Sequence, residues 1–227
     1  MHDLIQVALS WSGGKDSTLA LERLKADPNL NVVSLVTTVS MIYDRVSIHG
    51  VRRSILHRQA DALGIPLVEI PVEPGATNAD YESAFAAGLT TLRVRHPELD
   101  RIAFGDLFLE DVRKYRDLML TRLGWTGAYP IWGESTTALA RHFIHRGYRA
   151  YLTCVDTTQL DAKFAGRVFD DALLEELPAG VDPCGENGEF HTCVVSGPLF
   201  AESIAVVTGE RVLRDGRFQY CDLEIVE

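Results

Sequence analysis

Apolar positions in the first half of the chain fall into two alternating patterns. Short aliphatic or β-branched runs at residues 5–9, 31–38, 67–70 and 101–104 predict strands. Between them the apolar residues recur at helical spacing. Leu56, Ala60 and Leu63 lie at i, i+4 and i+7, and Val112, Tyr115, Met119 and Leu123 continue such a stripe along a later segment. Helices are therefore predicted over 51–63 and 110–123, with two more over 18–25 and 80–95. Gly64 with Pro66, His96 with Pro97, and Gly124 supply the stops. Repeated β-α units of this length imply an α/β fold with a doubly wound parallel sheet and helices on both faces. Ligands in such sheets bind at the carboxyl ends of the strands.

The second half has a different texture. Residues 134–146 predict a helix ended by Gly147, and 148–155 a strand. Many turns follow. In residues 212–225, Asp215-Gly216 marks a hairpin and Cys221, Leu223 and Ile225 alternate. A soft boundary at Tyr129-Pro130 divides the chain into a larger first unit, 1–129, and a smaller α+β lobe, 130–227.

The candidate chemistry of the first half sits where its strands end. Ser12-Gly13-Gly14-Lys15-Asp16-Ser17 follows the first strand and opens the first helix. Strand, glycine turn and helix is the layout in which backbone N–H groups and a helix N-terminus converge on phosphate. Gly13 and Gly14 permit backbone angles and close approach that a Cβ blocks. Lys15 supplies a point charge, and Ser12 and Ser17 hydroxyl donors. The segment is not a Walker A loop, because Leu9 stands where the first glycine belongs and Asp16 follows the lysine. Gly105-Asp106 closes another strand end. Asp16 suits Mg²⁺ or, equally, the dipole of the following helix, and Asp106 is a second candidate for the metal.

A second dense segment runs from Asp182 to Thr192. Two glycines and a proline bracket carboxylates, an amide, an imidazole and a thiol. Glu186 and Glu189 fit Mg²⁺ coordination, orientation of an amine nucleophile, or general-base work.

Composition narrows the partners. With 227 residues and 46% hydrophobic content, there is chain enough for a substantial core. A formal net charge of −10 argues against nonspecific nucleic-acid binding. The four cysteines form no Cys-x-x-Cys pair, so neither a zinc knuckle nor a thiol relay is supported. No apolar run approaches the ~20 residues of a membrane span, and no leader pattern opens the chain. A cytoplasmic protein with reduced thiols is expected, with a homodimer as the default assembly.

Ser12 to Ser17 is similar to the pyrophosphate-loop signature of the N-type ATP pyrophosphatases, which have the HUP fold (adenine nucleotide alpha hydrolase-like) and cleave ATP between the α and β phosphates. Further segments share this likeness: Ser47-Ile48-His49-Gly50-Val51-Arg52, Phe104-Gly105-Asp106-Leu107, Pro130-Ile131-Trp132, Phe164-Ala165-Gly166-Arg167, and Gly185-Glu186-Asn187-Gly188-Glu189-Phe190-His191-Thr192 followed by Ser196-Gly197-Pro198-Leu199-Phe200. Over nearly its whole length the chain resembles the diphthine–ammonia ligase family, in a form closer to its bacterial branch. The resemblance implies an AMP- and pyrophosphate-forming ligase that takes ATP, Mg²⁺, a carboxylate substrate and ammonia. It implies pyrophosphate on residues 12–17, with Lys15 and Asp16 catalytic, and adenine near Thr37 at the end of the second strand. His49 and Gly105 join the nucleotide set, and Glu186 and Glu189 face the amide-forming step. Two other functions share the loop: tRNA modification, which requires a basic surface and a working cysteine pair, and a sensor that holds ATP or AMP without turnover.

Overall fold

A computed structural model of the chain describes residues 4–46 and 50–226. The elements run β1 (Ile5–Ser10), α1 (Lys15–Ala26), β2 (Leu30–Ser40), β3 (Arg45–Val46), α2 (Arg53–Leu63), β4 (Leu67–Pro71), α3 (Asn78–Arg95), β5 (Arg101–Ala103), α4 (Glu110–Arg122) and β6 (Thr126–Ala128). They continue through α5 (Thr136–His145), β7 (Arg149–Asp156), α6 (Asp171–Glu176), β8 (Phe190–Ser196), β9 (Val206–Arg214) and β10 (Phe218–Ile225).

β1 is central to the first sheet, parallel to β2 on one side and β5 on the other. β4 pairs parallel with β2, and β6 with β5, while β3 turns back antiparallel on the tip of β2. Side chains alternate across β1, and the two faces bury into different cores. Val7 and Leu9 pack with α1 and α2, whereas Ala8 packs with Phe85 and Leu89 of α3 and Met119 of α4. This is the doubly wound parallel arrangement that the pattern predicts.

The last four strands form a separate antiparallel sheet in the order β8-β7-β10-β9. Its β9–β10 hairpin turns at Asp215 and Gly216, both at positive φ (52° and 62°). The larger core does not stop between the sheets. Phe143, Phe169 and Phe190 are buried with Leu19 and Leu21 of α1 in one cluster, and Phe143 stacks on Tyr148 at 5.0 Å. Among the described residues no helix is long and apolar enough to cross a membrane.

Capping explains where helix ends differ from the pattern. α3 begins two residues early because Thr77 and Asp80 form a capping box, with Asp80 N–H donating to Thr77 Oγ1 at 3.3 Å and Thr77 N–H to Asp80 Oδ2 at 3.0 Å. α5 begins at Thr136 because the Ser135 hydroxyl accepts from Ala138 N–H. β3, β6, α6 and the first half of β9 carry too little periodicity to be read from the chain. Tyr115 is not the core residue that its stripe suggests; it is half-buried and lines a cleft.

At the end of β7, buried Asp156 accepts from Arg217 Nε and Nη2 at 2.9 and 2.6 Å, and from Thr158 and Gln159. The Arg217 hydrogen bonds, against the cost of burial, hold its carboxyl well below the usual range. A depressed folded-state pKa contributes stability above the unfolded value, and this is lost as pH falls. Asp156→Asn is therefore expected to unfold at a lower temperature than the parent at pH 7. The gap should narrow as pH falls below about 4, where the unfolded carboxyl begins to protonate. Thermal melts across that range check it, and a constant gap refutes it.

Candidate active site

β1 ends at Ser10, and the chain turns through Gly13, at φ 78°, into α1. No side chain on the turn caps the helix at Gly14. Ser12 Oγ accepts from Gly14 N–H at 3.3 Å, and Ser17 Oγ donates to the Gly14 carbonyl at 2.9 Å. Together these contacts wind residues 12–17 into a tight anion cradle at a helix N-terminus, at the carboxyl edge of the parallel sheet.

The second sheet completes this cradle. β8 lies against it: Val194 N–H donates to the Gly13 carbonyl at 2.8 Å, and Lys15 N–H donates to Thr192 Oγ1 at 3.0 Å. Gln59, fully buried on α2, sits behind the same turn. Neither Gln59 nor Thr192 is singled out by sequence reasoning. The signal for Gln59 was present, since it is the polar member of the buried face formed by Leu56, Ala60 and Leu63.

Lys15 is 2% exposed. Its ammonium pairs with Asp16 Oδ2 at 2.9 Å, donates to the Cys184 carbonyl, and lies 5.5 Å from the Phe190 ring centre. Burial is the largest single influence and disfavours its charge, but the charge and hydrogen bond of Asp16, together with Cys184 and Glu186, outweigh it, so the amine stays protonated. The lysine thus ties the cradle to the turn before Glu186. The other oxygen of Asp16, Oδ1, is buried with no partner.

The loop carrying Glu186 is shaped by its own carboxylates. Asp182 Oδ1 accepts from Cys184 N–H at 2.8 Å and Glu186 N–H at 3.3 Å. Glu189, expected to face the reacting groups, instead lies behind the loop at 1% exposure and does not line the cavity. Its oxygens accept from Asp182 N–H, Asn187 N–H and Asn187 Nδ2 at 2.9, 2.9 and 3.0 Å. Glu186 faces inward, with Oε1 accepting from Leu107 N–H at 2.8 Å. Burial pushes its pKa to about 7. The Leu107 hydrogen bond and Lys15 oppose the shift, and the charges of Asp16 and Asp106 add to it.

These parts enclose a cavity of about 1320 Å³. Ser12, Gly14, Lys15, Asp16 and Ser17 line it, as do Thr37, Gly105, Asp106 and Glu186. Gly13 is set back, against Gln59. Thr37 and Ser40, at the end of β2, present buried hydroxyls without a partner. Asp106 is held bidentately by Arg116, at 2.8 and 3.3 Å, with the guanidinium 4.3 Å from the Phe104 ring centre. His191 also lines the cavity, and burial, then Lys15, lowers its pKa to about 4, so it is neutral at pH 7. His49 lies outside the described residues. Among the described residues no group of three or more His, Cys, Asp or Glu is arranged to hold a metal.

All four cysteines are buried and unbridged. Burial pushes the Cys184 and Cys193 thiols up to about 12, which disfavours their thiolate forms.

Gly105 marks where β5 presses on the cradle. A Cβ there would stand 2.8 Å from the Asp16 carbonyl carbon and 2.9 Å from Ser17 N, and backbone cannot swing aside as a side chain can. Gly105→Ala is expected to weaken ATP binding about tenfold or more, by displacing the start of α1. Calorimetric titration with ATP checks it, and an unchanged dissociation constant refutes it.

Family models match both halves of the chain. Residues 5–126 match the family model of the diphthamide synthase N-terminal domain, and residues 135–225 that of the diphthamide synthase C-terminal domain. The chain is 23% identical to a protein of Schizosaccharomyces pombe named diphthine–ammonia ligase, over 94% of this chain and 38% of that protein. It is 26% identical to the Homo sapiens protein of that name, over 92% of this chain and 85% of its relative. A solved structure from Methanocaldococcus jannaschii, titled as a predicted subunit of tRNA methyltransferase, aligns with a TM-score of 0.40 and 19% identity, over 70% of this chain and 81% of its own.

Proposed function

Since the chain belongs to the diphthamide synthase family, we propose that it is an ATP-dependent carbon–nitrogen ligase that joins ammonia to a carboxylate, with AMP and pyrophosphate as the other products. The observation that carries this reading is that one cavity holds both an anion cradle at a helix N-terminus and, across from it, a carboxyl with a pKa near neutrality.

In the first step an oxygen of the acceptor carboxylate attacks the α-phosphorus. The bond to the bridging oxygen of the β-phosphate breaks, and pyrophosphate leaves. The N-terminal dipole of α1 and the Lys15 charge stabilise that leaving group. In the second step the ammonia nitrogen attacks the acyl carbon, the bond to the phosphate oxygen breaks and AMP departs. The surplus proton on nitrogen passes to Glu186. Glu189 serves by holding the backbone of that loop. Thr37 and Ser40 offer hydroxyls to the nucleoside.

Mg²⁺ fits the residues present, because the orphaned Oδ1 of Asp16 borders the cradle and Mg²⁺ is held by one or two carboxylates plus substrate phosphates. Bound there, it neutralises charge on the phosphates. Asp106, engaged by Arg116, would have to release that partner to join it. The acceptor is a carboxylate of the kind that the names of the relatives indicate, with diphthine as the first candidate. The working expectation for the assembly is a cytoplasmic homodimer.

Pyrophosphate and AMP release from ATP and Mg²⁺, with ammonia and pools of carboxylates, tests the proposal. Joint appearance of both products, dependent on ammonia and on one pool, supports it. Release of ADP and phosphate refutes it, and ATP binding with no turnover under any pool favours a nucleotide sensor instead.

A further inference from the structure

The phosphate cradle is held from behind by one buried amide. Gln59, on α2, is fully buried. Its Oε1 accepts from the Trp11 indole at 2.9 Å. Its Nε2 donates to the Gly13 carbonyl at 3.0 Å and to the Val194 carbonyl at 2.6 Å. The orientation of the amide is unambiguous, because an indole only donates and carbonyls only accept. Every hydrogen of the NH₂ group is therefore committed.

The three partners come from two places. Trp11 and Gly13 flank the cradle's first serine, and Val194 belongs to β8 of the other sheet. Gly13 has a left-handed backbone, and a Cβ there would stand 2.7 Å from Gln59 Oε1, so both the conformation and the close approach call for glycine. The Gly13 carbonyl is shared between Gln59 and Val194 N–H, which fixes the peptide that leads into Gly14 and Lys15 at the start of α1.

The geometry points to Gln59 as a positioning residue for pyrophosphate departure: it fixes the Gly13 peptide, and through it the cradle, while locking that peptide to β8. The inference rests on the ligase reading above, since it concerns the step in which pyrophosphate leaves. Gln59 touches no reacting atom and acts through Gly13.

Gln59→Glu tests this, because it keeps the side chain's shape. Ionised, it sets a carboxylate against two carbonyls and has no hydrogen to give; protonated, it regains one donor. A merely structural loss has no reason to follow that protonation. At pH 8 the variant is expected to lose about 100-fold in kcat for pyrophosphate release, the scale of a small misplacement of reacting groups, with a much smaller change in KM for ATP. Between pH 8 and 6 its kcat relative to wild type should rise at least several-fold, because burial raises the new carboxyl's pKa. The Trp11 indole proton resonance should move over the same interval. Trp11→Phe, which keeps an aromatic ring in the core but frees the amide to rotate, should give a smaller fall in kcat. It also provides the test if the glutamate variant does not fold.

Wild-type kcat in Gln59→Glu at pH 8, or a ratio to wild type that stays flat with pH, overturns the inference. If wild type itself releases no pyrophosphate, the ligase reading fails instead. The role in pyrophosphate departure falls with it, and the part that needs no turnover, that Gln59 fixes the cradle, is decided by ATP dissociation constants: weakening in the variant at pH 8 that recovers at pH 6 sustains that part, and equal values in both proteins overturn it.

Discussion

Lys15→Met is expected to abolish ATP turnover, by about 1,000-fold or more, and to destabilise the fold by about 3 kcal/mol. The two effects have different origins and separate cleanly. The ammonium is 2% exposed and paired with Asp16, so removing it strands a carboxylate that burial already disfavours. That is the costly way to break a buried pair. It also removes the donor to the Cys184 carbonyl that holds the Glu186 loop against the cradle. The double variant Lys15→Met with Asp16→Asn removes both charges and should recover most of the lost stability. Turnover should not return with it, because the leaving pyrophosphate still lacks its cation and Asp16 its charge. Thermal melts and product release on the three proteins check this. A double variant no more stable than the single, or one that regains turnover, contradicts the assignment.

Glu186→Gln should show the opposite balance, with little effect on stability and a fall in amide formation of about 100- to 1,000-fold. The wild-type carboxyl has been raised above its unfolded value to about 7. A raised carboxyl costs stability in its ionised form, progressively as pH climbs from about 4.5 through 7, so the amide variant should gain slightly on the parent in melts at pH 8. For activity the sign is reversed. If Glu186 accepts the proton from nitrogen it must be ionised, so the parent's rate should fall below pH 7 and that limb should be missing in the variant. Pyrophosphate release in the first turnover should survive, because the cradle is untouched. An unchanged pH profile in Glu186→Gln excludes its role as the proton acceptor.

Much of this site is legible in the chain, for local reasons. Residues 12–17 combine a strand end, two glycines and a helix start within a few positions, and the turn geometry follows from those residues alone. The loop at 182–192 is recognisable by its density of polar groups between glycines. What the chain does not display is how the two meet. Lys15 N–H reaches Thr192 Oγ1 across 177 positions, and Gln59 reaches Val194 across 135. Neither partner advertises the contact through periodicity. Glu186 and Glu189 look equivalent in sequence, three residues apart. Only the fold separates them, turning one toward the cavity and spending the other on backbone N–H groups. Tyr115 departs from its stripe for a related reason. A helical stripe gives the buried side of a helix, but here the N-terminal end of α4's stripe, Val112 and Tyr115, borders a cleft and not a packed layer.

The dependence of the cradle on β8 bears on the order in which the protein is made. Synthesis delivers the parallel sheet first, and with it the whole of residues 12–17. A ribosome-bound chain at that stage carries the letters of the nucleotide loop without the strand that pins the Gly13 carbonyl and caps Lys15. On the proposed function, competence to grip ATP therefore arrives late, when β8 emerges and docks. A truncated translation product should not become a partial enzyme that hydrolyses ATP with no acceptor in place.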